Sequence, residues 1–593
     1  MWSALPWEAW FTLAVLVTML VLLVKEAASP DLILLGSLAA LLVAGVFENT
    51  ADAFVGFSSG SVLTIGSLFV VAAGSRKTEA FAVLNRLIRP RSANLRAALA
   101  RLMLPVSAVS AFVNNTPLVA ILVAPVESWA SRVGIPPSKL LIPLSYATVL
   151  GGMSTLIGTS TNLVVSDFLV ANGSAGFSMF ELAWVGVPAA IIGYLYFATV
   201  GHRLLPDRGD QARIARDDPR SYQFELRVAA GSALVGKSVE EAGLRHLVGA
   251  FLAHVSRRRE VIAPVRPALV LEAGDLLAFS GSPDIMDTLL AVEGLERPDG
   301  PLSGAPESPA LRLFEAVVSA KSSLVGKTLQ RSRFRERFQA TVLGIHRAGA
   351  RVDGPLGRSA IHGGDLLLVE SLDDFTARWI DSDEFYLVAP IRRRDVVPSR
   401  RAPWVFAIFS TMVVAIAAGW LPVANAALAA AILVVFVAGL SPTEARQALD
   451  LSVLLVLAAS FGIGAAISQT GLAGCIGTAL VDGLAPLGPI GVLAGVYVAT
   501  NLLTEILTNN VAAVIVFPIG LAAAQASDLD LRGVAVVIAI AASAGFATPI
   551  GYQTNLMVMG PGGYRFADFF KVGVPLNLLV FALTMVVVRW VWY

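Results

Sequence analysis

Gly158-Thr-Ser-Thr-Asn162 and Gly551-Tyr-Gln-Thr-Asn555 lie 393 residues apart, and each runs from a glycine to a Thr-Asn pair. A threonine stands three residues before each glycine, in Thr155-Leu-Ile-Gly158 and Thr548-Pro-Ile-Gly551. Upstream of each loop an apolar stretch folds around two asparagines: Asn114-Asn115 with Pro125 beyond, and Asn509-Asn510 with Pro518 beyond. An isolated Ser, Gly or Asn in an apolar segment is ordinary helix-packing material. Packing alone does not repeat such clusters in the same order in both halves of a chain. Internal repeats with interrupted apolar segments are the mark of secondary transporters.

The surrounding chain is that of a membrane protein. Its 593 residues are 56% hydrophobic and 15% charged, with a mean hydropathy of +0.72; soluble proteins carry about 25% charged residues. A net charge of +1 makes no case for nucleic acid. The single cysteine, Cys475, excludes a disulfide scaffold and a Cys-based zinc site and reads as packing. His202, His246, His254, His346 and His362 show no metal-ligand spacing.

Charge is spread unevenly. Pro206–Arg401 holds 28 of the 44 Lys+Arg and 27 of the 43 Asp+Glu. The chain therefore reads as a membrane repeat (residues 1–205), a soluble insert, and a second membrane repeat (residues 402–593). Apolar runs near the length that crosses about 30 Å of hydrocarbon are Trp10–Val24, Ile33–Phe47, Ser61–Gly74, Leu140–Val170 and Phe180–Leu205 in the first half. In the second they are Trp404–Trp420, Val423–Leu440, Val453–Ile467, Val534–Val558 and Phe569–Trp592. Leu102–Trp129 and Ile490–Gln525 enclose the asparagine pairs and read as re-entrant hairpins. Each half thus has five spans and one hairpin. No small-residue cleavage site precedes Lys25-Glu26, which points to a retained first span rather than a signal peptide.

Loop charge gives an orientation. Arg76–Arg101 holds seven Lys/Arg and one acid, Glu79, whereas its counterpart Ser468–Pro489 holds no Lys or Arg and one acid, Asp482. Under the positive-inside rule the first is cytoplasmic and the second is not, so the two repeats have inverted topology. The count then puts both termini outside and the insert, residues 206–401, in the cytoplasm.

Non-helical backbone inside a bilayer is tolerated only where protein buries it or it lines a wet cavity. Broken helices offer free N–H groups to an anion, and exposed carbonyls to sodium. The two tips and two loops carry no Lys, Arg, Asp or His; Glu127 and Glu505 flank the tips, and Arg565 lies beyond the second loop. A proton relay would want intramembrane carboxylates at the site. Neutral donors suit the anion of a strong acid, such as sulfate, or a carboxylate. Glu127 and Glu505 read as hairpin-end or network residues.

On these residues the two membrane halves resemble the divalent anion:sodium symporters, the sodium/sulfate/carboxylate family. That family's Ser-Asn-Thr tips correspond here to Asn114-Asn115-Thr116 and Thr508-Asn509-Asn510, both departing from the pattern. Its Gly-Thr-Pro-Pro-Asn loop corresponds to Gly158-Thr-Ser-Thr-Asn162. The resemblance implies one sodium site at Ser110, Asn114, Asn115 and the Gly158 backbone. A second would use Thr504, Thr508, Asn509 and the backbone near Ala547. The anion would lie between the tips, on Asn115, Thr116, Thr159, Ser160, Asn509, Asn510, Pro549 and Ile550, with Thr161, Asn162, Thr554 and Asn555 of the same loops. It further implies a homodimer in a bacterial inner membrane and an elevator-like motion of the hairpin-bearing part. Sulfate is the first substrate and a C4-dicarboxylate the second. A sodium/proton or arsenite exchanger, and a ligand-gated channel, are the alternatives; the first wants a titratable residue at the site, the second a continuous pore.

The insert carries its own repeat. Phe224-Glu-Leu-Arg-Val and Gly236-Lys-Ser238 lead to Gly274-Asp-Leu-Leu-Ala-Phe279; Phe314-Glu-Ala-Val-Val and Gly326-Lys-Thr328 lead to Gly364-Asp-Leu-Leu-Leu-Val369. Each copy (residues 221–296 and 311–385) predicts short strands and one helix, near Val239–His246 and Leu329–Phe338, with Arg297–Pro309 as linker. Neither Gly-Lys-Ser/Thr has the upstream glycine of a phosphate loop. Both copies resemble the TrkA-C domain. That resemblance implies pairing, and leaves open whether the pair binds a small nucleotide such as cyclic di-AMP or only stabilises a dimer.

Overall fold

The computed structural model describes residues 5–25, 27–78, 80, 84, 87–88, 94–207, 223–244, 250–257, 260–262, 265–281, 292, 294–296, 312–319, 321–347, 350–352, 357, 359–371, 375–379, 382–390 and 399–593. The chain divides into two compact units. One comprises Met1–Asp207, Val396–Val558 and Arg565–Tyr593; the other comprises Arg208–Asp395 and Met559–Tyr564.

The first unit is helical throughout, as an apolar chain must be when hydrocarbon offers its backbone no partners. Its first half contains α1 (Trp7–Val24), α2 (Pro30–Val43), α3 (Gly60–Thr78), α4 (Leu95–Ser110), α5 (Asn115–Arg132), α6 (Leu141–Gly152), α7 (Ser160–Ala171) and α8 (Ala183–Tyr196). The second half contains α9 (Ala402–Ala417), α10 (Val423–Ala438), α11 (Leu451–Gln469), α12 (Leu472–Leu484), α13 (Gly488–Ile506), α14 (Asn509–Ala526), α15 (Leu531–Ser543), α16 (Gln553–Gly562) and α17 (Phe566–Trp592). By length and composition Ala183–Leu204, α11, α13, α14 and α17 can each cross a membrane, and shorter apolar helices accompany them.

The halves interlock rather than sitting side by side. Helix α2 packs on α11, and α10 packs on α3. Helices α8 and α17 run antiparallel. Trp184 at the start of α8 meets Trp590 at the end of α17, with ring centroids 6.2 Å apart. At the other end Tyr196 donates to the Val572 carbonyl at 2.8 Å. Phe168 of α7 stacks on Phe461 and Phe517, at 4.6 and 5.0 Å, tying the first half to α11 and α14. At the end of α3, Lys77 donates to both oxygens of Glu444, at 2.7 and 2.8 Å. Lys77, with the Ser441 amide, holds that carboxyl down at about 2. Part of the basic segment Arg76–Arg101, namely 79, 81–83, 85–86 and 89–93, lies outside the described residues.

The second unit contains two sheets of one design. Strands β1 (Gln223–Val228), β2 (Ala250–Arg257), β3 (Glu260–Ile262), β4 (Leu276–Gly281) and β5 (Leu295–Glu296) are ordered β3-β2-β4-β1-β5. Strands β6 (Arg312–Val318), β7 (Ala340–Arg347), β8 (Ala350–Arg351), β9 (Leu366–Ser371) and β10 (Phe385–Pro390) are ordered β10-β6-β9-β7-β8, the same order read from the other edge. Every pairing in both sheets is antiparallel. Each copy has its own apolar core, around Leu226, Leu277 and Phe279 in one and Phe314, Phe338 and Leu367 in the other. The copies meet at His254 and Glu370, both buried, 3.2 Å apart.

The helix expected in each copy is shorter than its sequence suggests. In the second copy only Phe334–Phe338 is helical, because Arg333 (φ 48°) and Gln339 (φ 51°) are left-handed and stop it at both ends. Residues 329–333 form turns instead. In the first copy 239–244 are turns, and 245–249 lie outside the described residues, as does the linker Arg297–Pro309.

A matching ion pair closes each copy. Arg257 grips Asp275 through Nε and Nη2, both at 2.8 Å; Arg347 grips Asp365 the same way at the same distances. Hydrogen bonds to these carboxylates raise both guanidinium pKa values. Both aspartates are 1% exposed, and each also accepts a loop amide at 2.8 Å, from Glu272 and from His362. Removing Asp365 leaves the His362 amide and the partly exposed Arg347 guanidinium without their acceptor. Asp365→Ala is therefore expected to cost about 1–3 kcal/mol, read as a lower urea midpoint for proteolytic cleavage within the insert.

Candidate functional site

The first hairpin turns between the end of α4 at Ser110 and the start of α5 at Asn115. Ser110 Oγ lies 2.7 Å from Asn115 Oδ1 and 2.9 Å from the Thr148 carbonyl. The second hairpin repeats this: Thr504 Oγ1 lies 3.0 Å from Asn509 Oδ1 and 2.6 Å from the Ala542 carbonyl. In each cluster one hydroxyl proton serves two acceptors. Three neutral oxygens converging on so little hydrogen make a donor set fit for a hard cation such as sodium. Among the described residues no group of three His, Cys, Asp or Glu could hold a metal.

The broken spans are held open by the Thr-Asn pairs. Helix α6 ends at Gly152 and α7 begins at Ser160; α15 ends at Ser543 and α16 begins at Gln553. Asn162 Nδ2 donates to the carbonyls of Gly152 and Thr155, at 3.1 and 2.8 Å. Asn555 Nδ2 donates to Gly545 and Thr548, at 2.9 and 3.0 Å. Thr155 Oγ1 donates to the Ala111 carbonyl, and Thr548 Oγ1 to the Glu505 carbonyl at 2.7 Å. A side chain on Gly158 would run into the Gly152 and Ala111 carbonyls, and one on Gly551 into the Glu505 carboxylate. Both glycines are set by close approach.

Across the halves the contacts exchange partners. Thr116 donates to Gln553 Oε1 at 3.3 Å, while their counterparts Asn510 and Ser160 bond in the mirrored sense, Ser160 Oγ to Asn510 Oδ1 at 3.1 Å. Thr161 reaches the same Asn510 oxygen at 3.2 Å. Thr159 and Tyr552, counterparts of one another, meet at 3.3 Å. Exchanged contacts, with one residue touching its own counterpart, are what a two-fold axis produces.

Tyr552 is the residue that motif reading overlooked. Its hydroxyl accepts from Asn115 Nδ2 at 2.6 Å, touches Thr159 and lies within range of the Asn509 side chain, so one buried phenol stands between both tips. Thr159 and Thr508 precede α7 and α14 without capping them by side-chain hydrogen bonds, which leaves first-turn amides and positive helix ends at the site. Asn114 is half-buried, Pro549 and Ala547 are buried, and Thr508 and Ile550 are exposed. Thr554 and Asn555 both accept from Ser145, at 2.8 and 2.7 Å, and so join the second loop to α6.

Two acids complete the picture. Asp167, within the Leu140–Val170 stretch, accepts the Ser61 amide at 2.9 Å and belongs to the α3–α7 contact. Glu505 accepts the amides of Ala547 and Thr548, at 2.7 and 2.8 Å, and Asn577 Nδ2 at 2.8 Å. It braces the second loop against α13 and α17. Its partner Asn577 lies far along the chain, beyond the reach of any local motif.

Broken apolar helices faced by hairpin tips, with neutral oxygens and helix ends converging, define an integral membrane transporter. The chain belongs to the CitMHS family, described as citrate transporters, whose model matches residues 19–533 and 492–593. It is 34% identical to the "Putative sulfur deprivation response regulator" of Chlamydomonas reinhardtii, over 95% of this chain and 98% of that one. It is 32% identical to the uncharacterized transporter sll0640 of Synechocystis (96% and 95%), and 26% identical to sodium/sulfate cotransporter 1 of Chlamydomonas reinhardtii (100% and 91%). The solved YdaH transporter of Alcanivorax borkumensis aligns over 93% of this chain and 88% of its own, at 10% identity and a TM-score of 0.44, too distant to argue from. The protein is thus a multi-pass membrane transporter and not an enzyme.

Glu505→Ala would leave three buried donors without an acceptor. It is expected to cost about 3–5 kcal/mol and to lower the unfolding midpoint of the detergent-solubilised chain by several degrees. Glu505→Gln, which keeps one acceptor oxygen, should lie between the two.

Proposed function

We propose that the chain is a sodium-coupled symporter of a divalent anion, sulfate first, working by an elevator-type shift of the two hairpins and broken spans. The observation that carries this reading is the pair of oxygen clusters, Ser110–Asn115–Thr148 and Thr504–Asn509–Ala542, set on either side of Tyr552. Each cluster would take one sodium ion, with the Gly158 and Ala547 backbone beside them. The anion would lie between the tips on Thr116, Thr159, Ser160, Thr161, Asn510 and the uncapped ends of α7 and α14. Asn162, Asn555 and Thr554 would hold the loops in shape around it. A relative named as a sodium/sulfate cotransporter supports sulfate. A carboxylate is the second reading, favoured by the description of the family as citrate transporters.

Inverted repeats fit the geometry. Counterpart helices α8 and α17 pack antiparallel, and the tip contacts exchange partners about one axis. Glu505 is fully engaged by amide donors, which argues for a brace and against a proton carrier. The insert is read as two TrkA-C-like domains on the cytoplasmic side of a homodimer in a bacterial inner membrane. A nucleotide such as cyclic di-AMP is the ligand class such a pair would take.

Uptake of labelled sulfate, succinate and citrate into proteoliposomes, with and without an inward sodium gradient, tests the proposal. Sulfate uptake should rise at least tenfold with the gradient, and uptake indifferent to sodium would sink the coupling. Asn115→Ala and Asn509→Ala should each lower uptake at least tenfold and weaken its dependence on sodium. Normal transport by both would remove the site.

A further inference from the structure

Behind their tips the two halves differ at one place. The hydrogen bond from Thr155 to the Ala111 carbonyl matches that from Thr548 to the Glu505 carbonyl, so Ala111 stands where Glu505 stands. Gly186 of α8 is pressed on the Met153 carbonyl and Ser154 as Gly573 of α17 is pressed on the Phe546 carbonyl and Ala547. That register places Ala190 opposite Asn577. Counting back along α4 and α13 from Ser110 and Thr504 places Met103 opposite Tyr497, a fully buried ring packed on Phe581 at 5.1 Å. A carboxylate, an amide and a phenol in the second half therefore have two alanines and a methionine as counterparts in the first.

The space they would fill is open. A cavity of about 330 Å³ is lined by Met103, Ala111 and Ala190, together with Ser107, Ser154 and Thr155. Leu104, Phe180 and Ile191 form its rim, each about half exposed on the outer face, where a membrane protein meets acyl chains. In the second half the two amides at this level are answered by Glu505. In the first, the Ser154 amide turns back to the Gly151 carbonyl at 3.0 Å, and the Thr155 amide meets no acceptor among the described residues.

We propose that this cavity binds a long-chain monocarboxylate drawn from the bilayer, its head on the Thr155 amide beside Ser107 and Ser154, its chain running along α8 past Ile191. The head-group chemistry is argued from the second half, where the same loop position takes a carboxylate from the chain itself. The apolar wall and lipid-side rim set the body. Such a ligand joins the first broken loop to α8 as Glu505 and Asn577 join the second to α17. The inference does not depend on which anion is transported.

The full-length chain in phosphatidylcholine nanodiscs, titrated with tritiated palmitate, tests it. Saturable binding is expected, with unlabelled methyl palmitate competing at least tenfold more weakly than palmitate. Ala111→Glu, which installs the second half's own carboxylate, should weaken palmitate binding at least tenfold. Met103→Tyr, which fills the space without charge, should do the same and carries the test if Ala111→Glu does not fold. Unsaturable binding, equal competition by the ester, or undiminished affinity in the folded variants would overturn the proposal.

Discussion

A backbone interrupted inside an apolar bundle exposes carbonyls and amides that hydrocarbon cannot satisfy, and this one constraint organises the membrane unit. Each break is answered from within. Asn162 and Asn555 cross their own gaps to the last carbonyls of α6 and to the loops beyond α15. Thr155 and Thr548 reach the hairpins, and glycine is required where loop and hairpin backbones press together. Once the side-chain amides of the Thr-Asn pairs are committed in this way, the groups left facing the centre are helix ends, tip amides and hydroxyls.

Much of this was legible in the sequence because the answering groups are local and chemically distinctive. Gly158 with Asn162, and Gly551 with Asn555, recur at one offset because the same gap is bridged twice by the same bonds. Ser110 and Thr504 differ in residue type and share one geometry. What escaped reading has no such echo. Tyr552 answers to Thr159, a residue of different size, so nothing in the repeat marks it out. Glu505 was visible as a flanking acid, but its brace depends on Asn577, which lies on another helix. Asp167 sits inside a broken span that reads as free of acids at its loop, and it serves helix packing instead.

The insert shows the converse. Its repeat, its short strands and its paired Gly-Asp turns follow from sequence, while the strand order and the arginine that each of Asp275 and Asp365 meets on a neighbouring strand emerge only in the fold. The helix lengths do not follow. Apolar spacing over Leu329–Phe338 is helical in period, yet the backbone turns left-handed at Arg333 and Gln339. Core packing around Phe334 and Phe338, stacked 4.5 Å apart, outweighs local propensity there.

Tyr552 has one hydroxyl and two hairpins to serve. Asn115 presents its nitrogen to that hydroxyl and its oxygen to Ser110, so an ion that reorients the amide at the first tip disturbs the phenol. Asn509 lies within range of the same hydroxyl and would feel the disturbance without any movement of the helices between them. If the tips hold ions as proposed, they are therefore not independent of one another. Filling one would then alter the affinity of the other, and by linkage the reverse would hold equally; loading would be cooperative at the level of a single side chain.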